Sequence, residues 1–221
     1  MVTKTLPPTF VSDDEVVVET IPMSYDAYLD WYDKEAGRRG EWVAGEVIPF
    51  MTTSITHARL VMFLSALLSA YLDIRRVGEV IAQDFELRTR EGAAREPDLI
   101  VVLNEHFDRY REMRLVGASD IVVDVISPDS VSRDRHDKRS EYAAAGIPEY
   151  WIVDPRPGRA SIDLYVLAPA GSYAGVMPDA DGRLPSRVLP GMWLSATWLT
   201  ASSLPSAIQP GTRMATSAEH V

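Results

Sequence analysis

The sequence predicts an α/β (α+β) fold in which a mixed central β-sheet is flanked by helices and preceded by an N-terminal hairpin. Residues 54–76 carry a wide apolar stripe at helical spacing. Residues 99–103 and 121–126 are bare apolar runs, which are typical of strands buried on both faces. Together with the shorter patterns around them, these runs give the order helix, three strands, helix, strand.

The N-terminal part is predicted to add a lead-in, a helix and a hairpin. Residues 1–22 mix prolines with polar and acidic residues, which indicates an extended segment. Ser24 can cap a first helix over 24–36, where aromatic residues recur at helical spacing. The β-prone runs on either side of Gly45 predict the hairpin.

The later elements complete the sheet. The sequence predicts strands over 80–83, 85–88 and 150–153, a helix over 133–145 and a peripheral antiparallel pair over 160–176. Two buried strands joined by a helix form a right-handed crossover. Residues 121–153 should therefore contribute two parallel strands to the central sheet.

Length and composition indicate one globular unit. The 221 residues, 46% hydrophobic and 24% charged, fit a single domain over 23–200 and exclude a fibrous chain. The polar residues 201–221 are expected to form a disordered tail. No apolar stretch is expected to cross a bilayer and no secretion signal is recognised, so we expect a soluble, cytoplasmic protein without membrane contact.

Two compositional features exclude further classes of function. The chain has no cysteine, which rules out disulfides, thiolate zinc sites and cysteine nucleophiles. Its net charge of −10 is the wrong sign for binding nucleic acid through bulk electrostatics. Any nucleic-acid role would need a local basic patch or a divalent metal.

The chemistry is predicted where the buried strands begin and end. Asp98 opens one apolar strand and Asp124 lies inside the next. A buried carboxylate is costly unless it is paired, protonated or bound to a cation. Two such acids on neighbouring strands suit Mg²⁺ or Mn²⁺, which could polarise a phosphodiester. Lys138, on the following helix, is the lysine that could reach them.

Each of these residues also has a purely structural interpretation. Asp98 follows Pro97, a common turn pair, and Asp124 could form a structural ion pair with Lys138. Asp134 and Lys138, four residues apart, are by default an exposed helix pair, and Tyr142 on the same face is more simply a packing residue. Tyr150 is interpreted as core packing of the last strand.

A set of motifs resembles the Uma2 family (DUF820) of restriction-endonuclease-like proteins, within the PD-(D/E)XK nuclease superfamily. The motifs are Pro97-Asp98, Asp124-Val-Ile-Ser-Pro128, Asp134, Lys138, Tyr142 and Gly146-Ile-Pro-Glu-Tyr-Trp-Ile-Val-Asp154. The likeness covers roughly residues 23–167 and is most specific over 120–154. It implies a restriction-endonuclease-like αβββαβ core.

The resemblance also implies roles for individual residues. Asp98 and Asp124 would bind Mg²⁺ or Mn²⁺, with the Val125 carbonyl as a further ligand, and Lys138 would replace the superfamily's strand lysine. The additional acid would be Glu46 or, less surely, Glu41. Candidate accessory residues are His57, Asp134 and Tyr142. The family more often has glutamate at position 124, so Asp124 sets its carboxylate back by one methylene.

These expectations favour a Mg²⁺-dependent endonuclease, a hydrolase of phosphodiester bonds that acts on DNA as a homodimer. The basic cluster beside the predicted site is the best candidate for contacts to the nucleic-acid backbone and comprises Arg133, Arg135 and Arg139. The alternative is an inactive nuclease fold that binds nucleic acid or protein. A small-molecule hydrolase lacks support, because the sequence has no Gly-x-Ser-x-Gly, no His-Glu-x-x-His and no phosphate-binding glycine loop.

Overall fold

Two β-sheets and one long helix organise the protein in the computed structural model, which describes residues 9–11, 15–34, 39–50, 53–82, 85–90 and 92–207. The helices are α1 Tyr25–Lys34, α2 Ile55–Arg75 and α3 Arg139–Ala144, with a π-helical turn Arg133–Lys138 before α3 and 3₁₀ turns Asn104–Arg109 and Ala196–Leu199. The strands are β1 Thr9–Val11, β2 Glu15–Val17, β3 Ile21–Pro22, β4 Gly40–Val43, β5 Glu46–Pro49, β6 Gly78–Ala82, β7 Glu86–Arg90, β8 Ala93–Arg95, β9 Leu99–Leu103, β10 Tyr110–Arg111, β11 Arg114–Val116, β12 Ile121–Val125, β13 Glu149–Asp154, β14 Ser161–Leu167, β15 Tyr173–Gly175, β16 Leu184–Pro185 and β17 Trp193–Leu194.

The central sheet has the strand order β15-β14-β13-β12-β9-β6. β12 and β13 pair in parallel, with Asp124 opposite Ile152, and the other neighbouring pairs are antiparallel. The predicted mixed sheet, its parallel pair and the peripheral antiparallel pair are therefore confirmed. The αβββαβ core consists of α2, β6, β9, β12, the helical segment 133–144 and β13.

α2 covers one face of the central sheet. Ser54 caps it by accepting a hydrogen bond from the His57 backbone N–H at 3.1 Å, as predicted. Its buried leucines pack against alternate residues of β9 and β12, such as Val101 and Val123. By length and composition this helix could cross a membrane, contrary to the expectation from the sequence. Its packing against the sheet instead identifies it as the core helix.

The opposite face of the central sheet is covered by the segment 133–144. Val122 and Ile100 point to this side, where they pack with Tyr142 and Tyr150. Because side chains alternate along a strand, Asp124 points to the same side as Val122. The strand thus directs its one carboxylate toward the helix that carries Lys138.

The second sheet, in the order β10-β11-β7-β8-β4-β5-β3, contains the predicted hairpin β4–β5. Gly40 is required there, since a Cβ atom would lie 2.5 Å from the Ile48 carbonyl oxygen. β4 also pairs with β8, which places Glu41 beside Arg95. The predicted strand 85–88 belongs to this sheet as β7, so β7 and β8 are inserted between two core strands.

The remaining expectations concern the ends of elements. Within the predicted lead-in, β1 pairs with β2 and β3 joins the hairpin. The predicted end of the first helix at Ala36 lies outside the described residues, and so do residues 208–221 of the predicted tail 201–221.

Candidate functional site

Asp124 and Lys138 meet in the interior, between β12 and the segment 133–144. The Lys138 Nζ atom lies 3.1 Å from Asp124 Oδ1, and the Tyr150 hydroxyl donates to Asp124 Oδ2 at 2.8 Å. Asp124 is 2% exposed and Lys138 is 4% exposed. The structure therefore brings together the predicted acid and the predicted lysine.

Lys138 is shared by three carboxylates. Besides Asp124, its Nζ atom contacts Glu41 Oε1 at 3.0 Å and Asp134 Oδ1 at 3.2 Å. Asp134 and Lys138 both lie in the π-helical turn, a feature that is frequent at functional sites. Their interpretation as an exposed helix pair is wrong, since both side chains are buried.

Glu41 links the hairpin to the helix through several cations. Its Oε2 atom lies 3.0 Å from Arg95 Nη1 and 3.6 Å from Arg133 Nε. Arg95 in turn contacts Glu141 Oε2 at 2.7 Å through Nη2. Glu41, Arg95 and Glu141 are all buried, so these ion pairs are shielded from solvent and bind the second sheet to the segment 133–144.

Asp98 lies at the other side of Asp124. Its Oδ2 atom accepts a hydrogen bond from the Val125 backbone N–H at 2.7 Å and lies 3.2 Å from His57 Nε2. Its side chain retains 17% exposure, whereas Asp124 is enclosed. Of Asp98 and Asp124, Asp98 is thus the carboxylate that faces solvent. It is held by the backbone of β12 and by the first turn of α2.

The pKa values reflect burial and charge. Burial, reinforced by Asp134, Asp98 and Glu41, raises the pKa of Asp124 above its usual range. Burial opposes the charge of Glu41, but Lys138, Arg95 and Arg133 lower its pKa to about 2. Although burial disfavours an ammonium group, the neighbouring carboxylates raise the pKa of Lys138 well above its ordinary value. The neighbouring carboxylates therefore favour the protonated form of Lys138.

The pKa of His57 is also shifted by a neighbouring carboxylate. Burial lowers its pKa, but the hydrogen bond and charge of Asp98, together with a hydrogen bond to the Val125 backbone, raise the pKa overall. Asp98 thus favours the protonated form of His57, next to the partly exposed side of the site.

We call the connected set of charges the carboxylate network; its acids are Glu41, Asp98, Asp124, Asp134 and Glu141, and its cations are Arg95, Arg133 and Lys138. The acids outnumber the cations, but burial raises the pKa of Asp124 and of Asp134, which favours their neutral forms. A divalent cation among these oxygens would favour the charged forms.

The donor chemistry also fits Mg²⁺ or Mn²⁺, which prefer oxygen ligands and retain several waters. Asp98, Asp124 and the Val125 carbonyl provide such oxygens. Within the described parts of the chain, no group of three or more Asp, Glu or His side chains is arranged to hold a metal. A site here would therefore use two carboxylates with backbone and water oxygens.

Several predicted residues lie outside the network. Glu46 is exposed near the turn of the hairpin and pairs with Val43, so Glu41 is the hairpin acid that reaches Lys138. Arg135 contacts Asp163 and Asp154, and Arg139 lies over the Tyr165 ring at 4.8 Å. Of the three predicted backbone-binding arginines, only Arg133 adjoins the network.

Tyr142 is buried beside the network, as the packing interpretation expected. Its ring makes an edge contact with Tyr150 at 5.1 Å. No described residue forms a hydrogen bond with its hydroxyl. Burial raises the pKa of Tyr142 well above its ordinary value, and the charge of Asp124 adds to this, so the side chain stays neutral.

Sequence reasoning missed three members of the site. Arg95 ends a short strand inserted before Pro97, and no local pattern indicates that this strand pairs with the hairpin. Glu141 could have been found, since it lies three residues after Lys138 on the predicted helix. Tyr150 could also have been found, because the parallel register places it opposite Val122, two residues from Asp124.

Comparisons with known proteins agree with this fold. The family model Uma2, described as "Putative restriction endonuclease", matches residues 25–197. "Uncharacterized protein sll1609" of Synechocystis sp. is 28% identical over 142 residues, which are 63% of this chain and 78% of that protein. A crystal structure described as "a putative nuclease belonging to DUF820" from Anabaena variabilis superimposes with a TM-score of 0.64, covering 80% of this chain and 97% of the other. At 15% identity, that likeness shows a shared fold.

Proposed function

The chain belongs to the Uma2 family, a family of nuclease type, and from this premise we propose that it is a metal-dependent endonuclease that hydrolyses phosphodiester bonds in DNA. The observation that carries the proposal is the geometry of the carboxylate network: the buried Lys138 contacts three carboxylates, one of them Asp124. The partly exposed Asp98 is held by the backbone of Val125, the next residue after Asp124 on the same strand.

Asp98, Asp124 and the Val125 carbonyl would hold Mg²⁺ or Mn²⁺. When bound, such an ion polarises a phosphoryl oxygen and lowers the pKa of a coordinated water. Lys138 stabilises negative charge that develops on the phosphate, since three carboxylates favour its protonated form and hold it in place. Glu41 orients Lys138 from the hairpin.

The partly exposed side of the site determines where the substrate approaches. Asp98 and His57 lie at this side, and the Arg133 side chain retains 12% exposure beside Glu41. We assign phosphate contact to Arg133 in preference to Arg135 and Arg139, because of the three only Arg133 adjoins the network, through Glu41, although its guanidinium group also contacts Asp129. A local cation of this kind is needed, given the net charge of −10.

A second candidate function is a nuclease fold that binds nucleic acid or protein without turnover. One observation favours it: both Asp124 oxygens already have protein partners, namely Lys138 and Tyr150. Cleavage distinguishes the two functions. Purified protein should cut supercoiled plasmid or labelled single strands with Mg²⁺ or Mn²⁺ and lose this activity in EDTA, whereas a binding module would retard the same substrates without cutting them.

Metal binding should stabilise the folded protein. A ligand at a hundred times its Kd adds about 2.7 kcal/mol, which for a chain of this length raises Tm by roughly 5–10 °C. We expect this rise with Mg²⁺ or Mn²⁺ in thermal denaturation, and we expect Asp98→Ala to remove it. An equal rise in the variant would place the metal elsewhere, and no rise in the wild type would favour the binding module.

The active form is proposed to be a homodimer, since cutting both strands of a duplex calls for two copies of a site. Light scattering should give twice the chain mass of 24.5 kDa at micromolar concentration. A monomeric mass at that concentration would contradict this proposal without affecting the assignment of the site.

A further inference from the structure

The Tyr150 hydroxyl has two acceptors within hydrogen-bond distance. Asp124 Oδ2 lies at 2.8 Å and the Asp134 backbone carbonyl oxygen at 3.1 Å. A tyrosine hydroxyl carries one hydrogen, so a full hydrogen bond goes to one acceptor at a time. The first acceptor is the carboxylate on β12, and the second is a backbone carbonyl of the π-helical turn that carries Lys138.

The tyrosine ring is fixed while its hydrogen is free to turn. Tyr150 is fully buried, with Tyr142 edge-on at 5.1 Å and Tyr173 at 6.1 Å between ring centroids. Core side chains packed in this way keep their rotamers. The hydroxyl can therefore change its acceptor by rotation about the C–O bond, without movement of the ring.

The two hydrogen bonds differ in strength. A bond to an ionised carboxylate is stronger than a bond to a neutral carbonyl. The hydroxyl therefore donates to Asp124 as long as Lys138 is the one cation that contacts this carboxylate. If Asp124 turns toward a second cation, the hydroxyl still has the Asp134 carbonyl. The cost of a buried, unsatisfied hydroxyl is thus avoided.

We infer that Tyr150 is a positioning residue that holds Asp124 Oδ2 in the metal-free protein and releases it to a divalent cation by turning its hydroxyl to the Asp134 carbonyl. This inference rests on the proposed function, because it assumes that Asp124 is a metal ligand. Tyr150 thereby tunes the affinity of the site for the metal.

The inference predicts an unusual effect of Tyr150→Phe. The substitution removes the stronger hydrogen bond from the metal-free protein but only the weaker one from the metal-bound protein, so the metal-free state loses more. We expect the variant to bind Mg²⁺ or Mn²⁺ about threefold to tenfold more tightly than the wild type. Damage to the structure would have the opposite effect and weaken binding.

Isothermal titration calorimetry with Mn²⁺ on the wild type, Tyr150→Phe and Tyr173→Phe provides the test. Tyr173 is the matched control, since its hydroxyl donates to the Ile147 carbonyl at 2.9 Å and its ring contacts Tyr150, but no hydrogen bond joins it to Asp124. Tighter binding in Tyr150→Phe alone supports the inference. Unchanged or weaker binding in that variant, with normal wild-type binding, overturns it and leaves the proposed function intact.

Two further outcomes are decisive. If the wild type binds no divalent cation, the metal dependence of the proposed function fails together with this inference. If Tyr150→Phe does not fold, the wild type labelled at tyrosine Cζ answers the question by NMR. The resonance of one tyrosine should then move on addition of Mg²⁺ while that of Tyr173, identified through Tyr173→Phe, stays fixed; absence of such a shift overturns the inference.

Discussion

Replacing Asp124 by asparagine should lower the rate of phosphodiester cleavage by about 10²–10³-fold, the usual cost of losing one electrostatic contributor to a transition state. Asparagine keeps the shape of the side chain. With its oxygen toward Lys138, its amide N–H can donate to the Tyr150 hydroxyl, which then donates to the Asp134 carbonyl. The substitution removes the charge that a metal requires. We therefore expect Asp124→Asn to fold, and the loss should appear in initial rates of plasmid nicking with Mg²⁺.

Asp120→Asn is the matched control for this prediction. Asp120 lies just before β12, at the far end of the strand from the network, and is 3% exposed. Its carboxylate accepts one hydrogen bond from the Leu103 backbone N–H and contacts His106. This variant should retain the wild-type cleavage rate per folded molecule. Equal losses in both variants would show that Asp124 acts only through folding.

Replacing Arg95 by methionine should destabilise the protein by about 3–5 kcal/mol, the range for breaking a buried ion pair by removing one partner. Arg95 is 3% exposed and contacts both Glu41 and Glu141. Methionine fills much of the same volume but leaves Glu141 without its cation and Glu41 with only Lys138 and Arg133. The measurement is the free energy of unfolding from urea titration.

Arg114→Met provides the comparison for Arg95→Met. The Arg114 guanidinium lies 3.6 Å from Glu86 and donates to the Tyr25 hydroxyl at 3.0 Å, and its side chain is 24% exposed. Solvent reaches the arginine side of these contacts, so their loss should cost about 1 kcal/mol. The double variant Arg95→Met with Glu141→Gln should recover part of the lost stability, because the second change removes an unpaired buried charge. A loss from Arg95→Met no larger than that from Arg114→Met would contradict the view that the network joins the two sheets.

The predictable part of the fold depends on patterns that are local in sequence. The stripe of α2 and the apolar runs of β9 and β12 each report burial directly, because a core position tolerates few polar side chains. The crossover from β12 to β13 follows from handedness alone. The second sheet could not be predicted in this way, since its strands are short and pair across long intervals, as when β4 meets β8.

The residues of the candidate site also fall into two groups: those that a local sequence pattern predicts and those that only the tertiary structure shows. Asp124 was recognisable because a charged residue inside an apolar strand conflicts with its surroundings, and Lys138 because helical spacing placed it toward the sheet. Choosing Glu41 over Glu46 required the tertiary structure, since both lie on the hairpin and only the pairing of β4 with β8 shows which one faces inward. Arg95 has no local signature at all.

In the proposed site, the lysine lies on a helical segment, whereas Asp124 lies on a strand. The π-helical turn and the three surrounding carboxylates fix its Nζ atom within 3.0–3.2 Å of Glu41, Asp124 and Asp134. Its four-carbon stem is otherwise flexible. The network thus fixes the position of the Lys138 side chain. For a lysine on a strand, the strand backbone would set that position instead.

The most direct test of the central claim is a time course of supercoiled plasmid cleavage by the wild type and Lys138→Met, purified in parallel, with Mg²⁺ and with EDTA. We expect nicked or linear product only for the wild type with Mg²⁺. Lys138→Met should be less stable than the wild type, because it leaves three buried carboxylates without their shared cation, but it should be folded by circular dichroism at the assay temperature and inactive. Product in EDTA, or equal cleavage by the folded variant, would contradict a metal-dependent nuclease site built around Asp124 and Lys138.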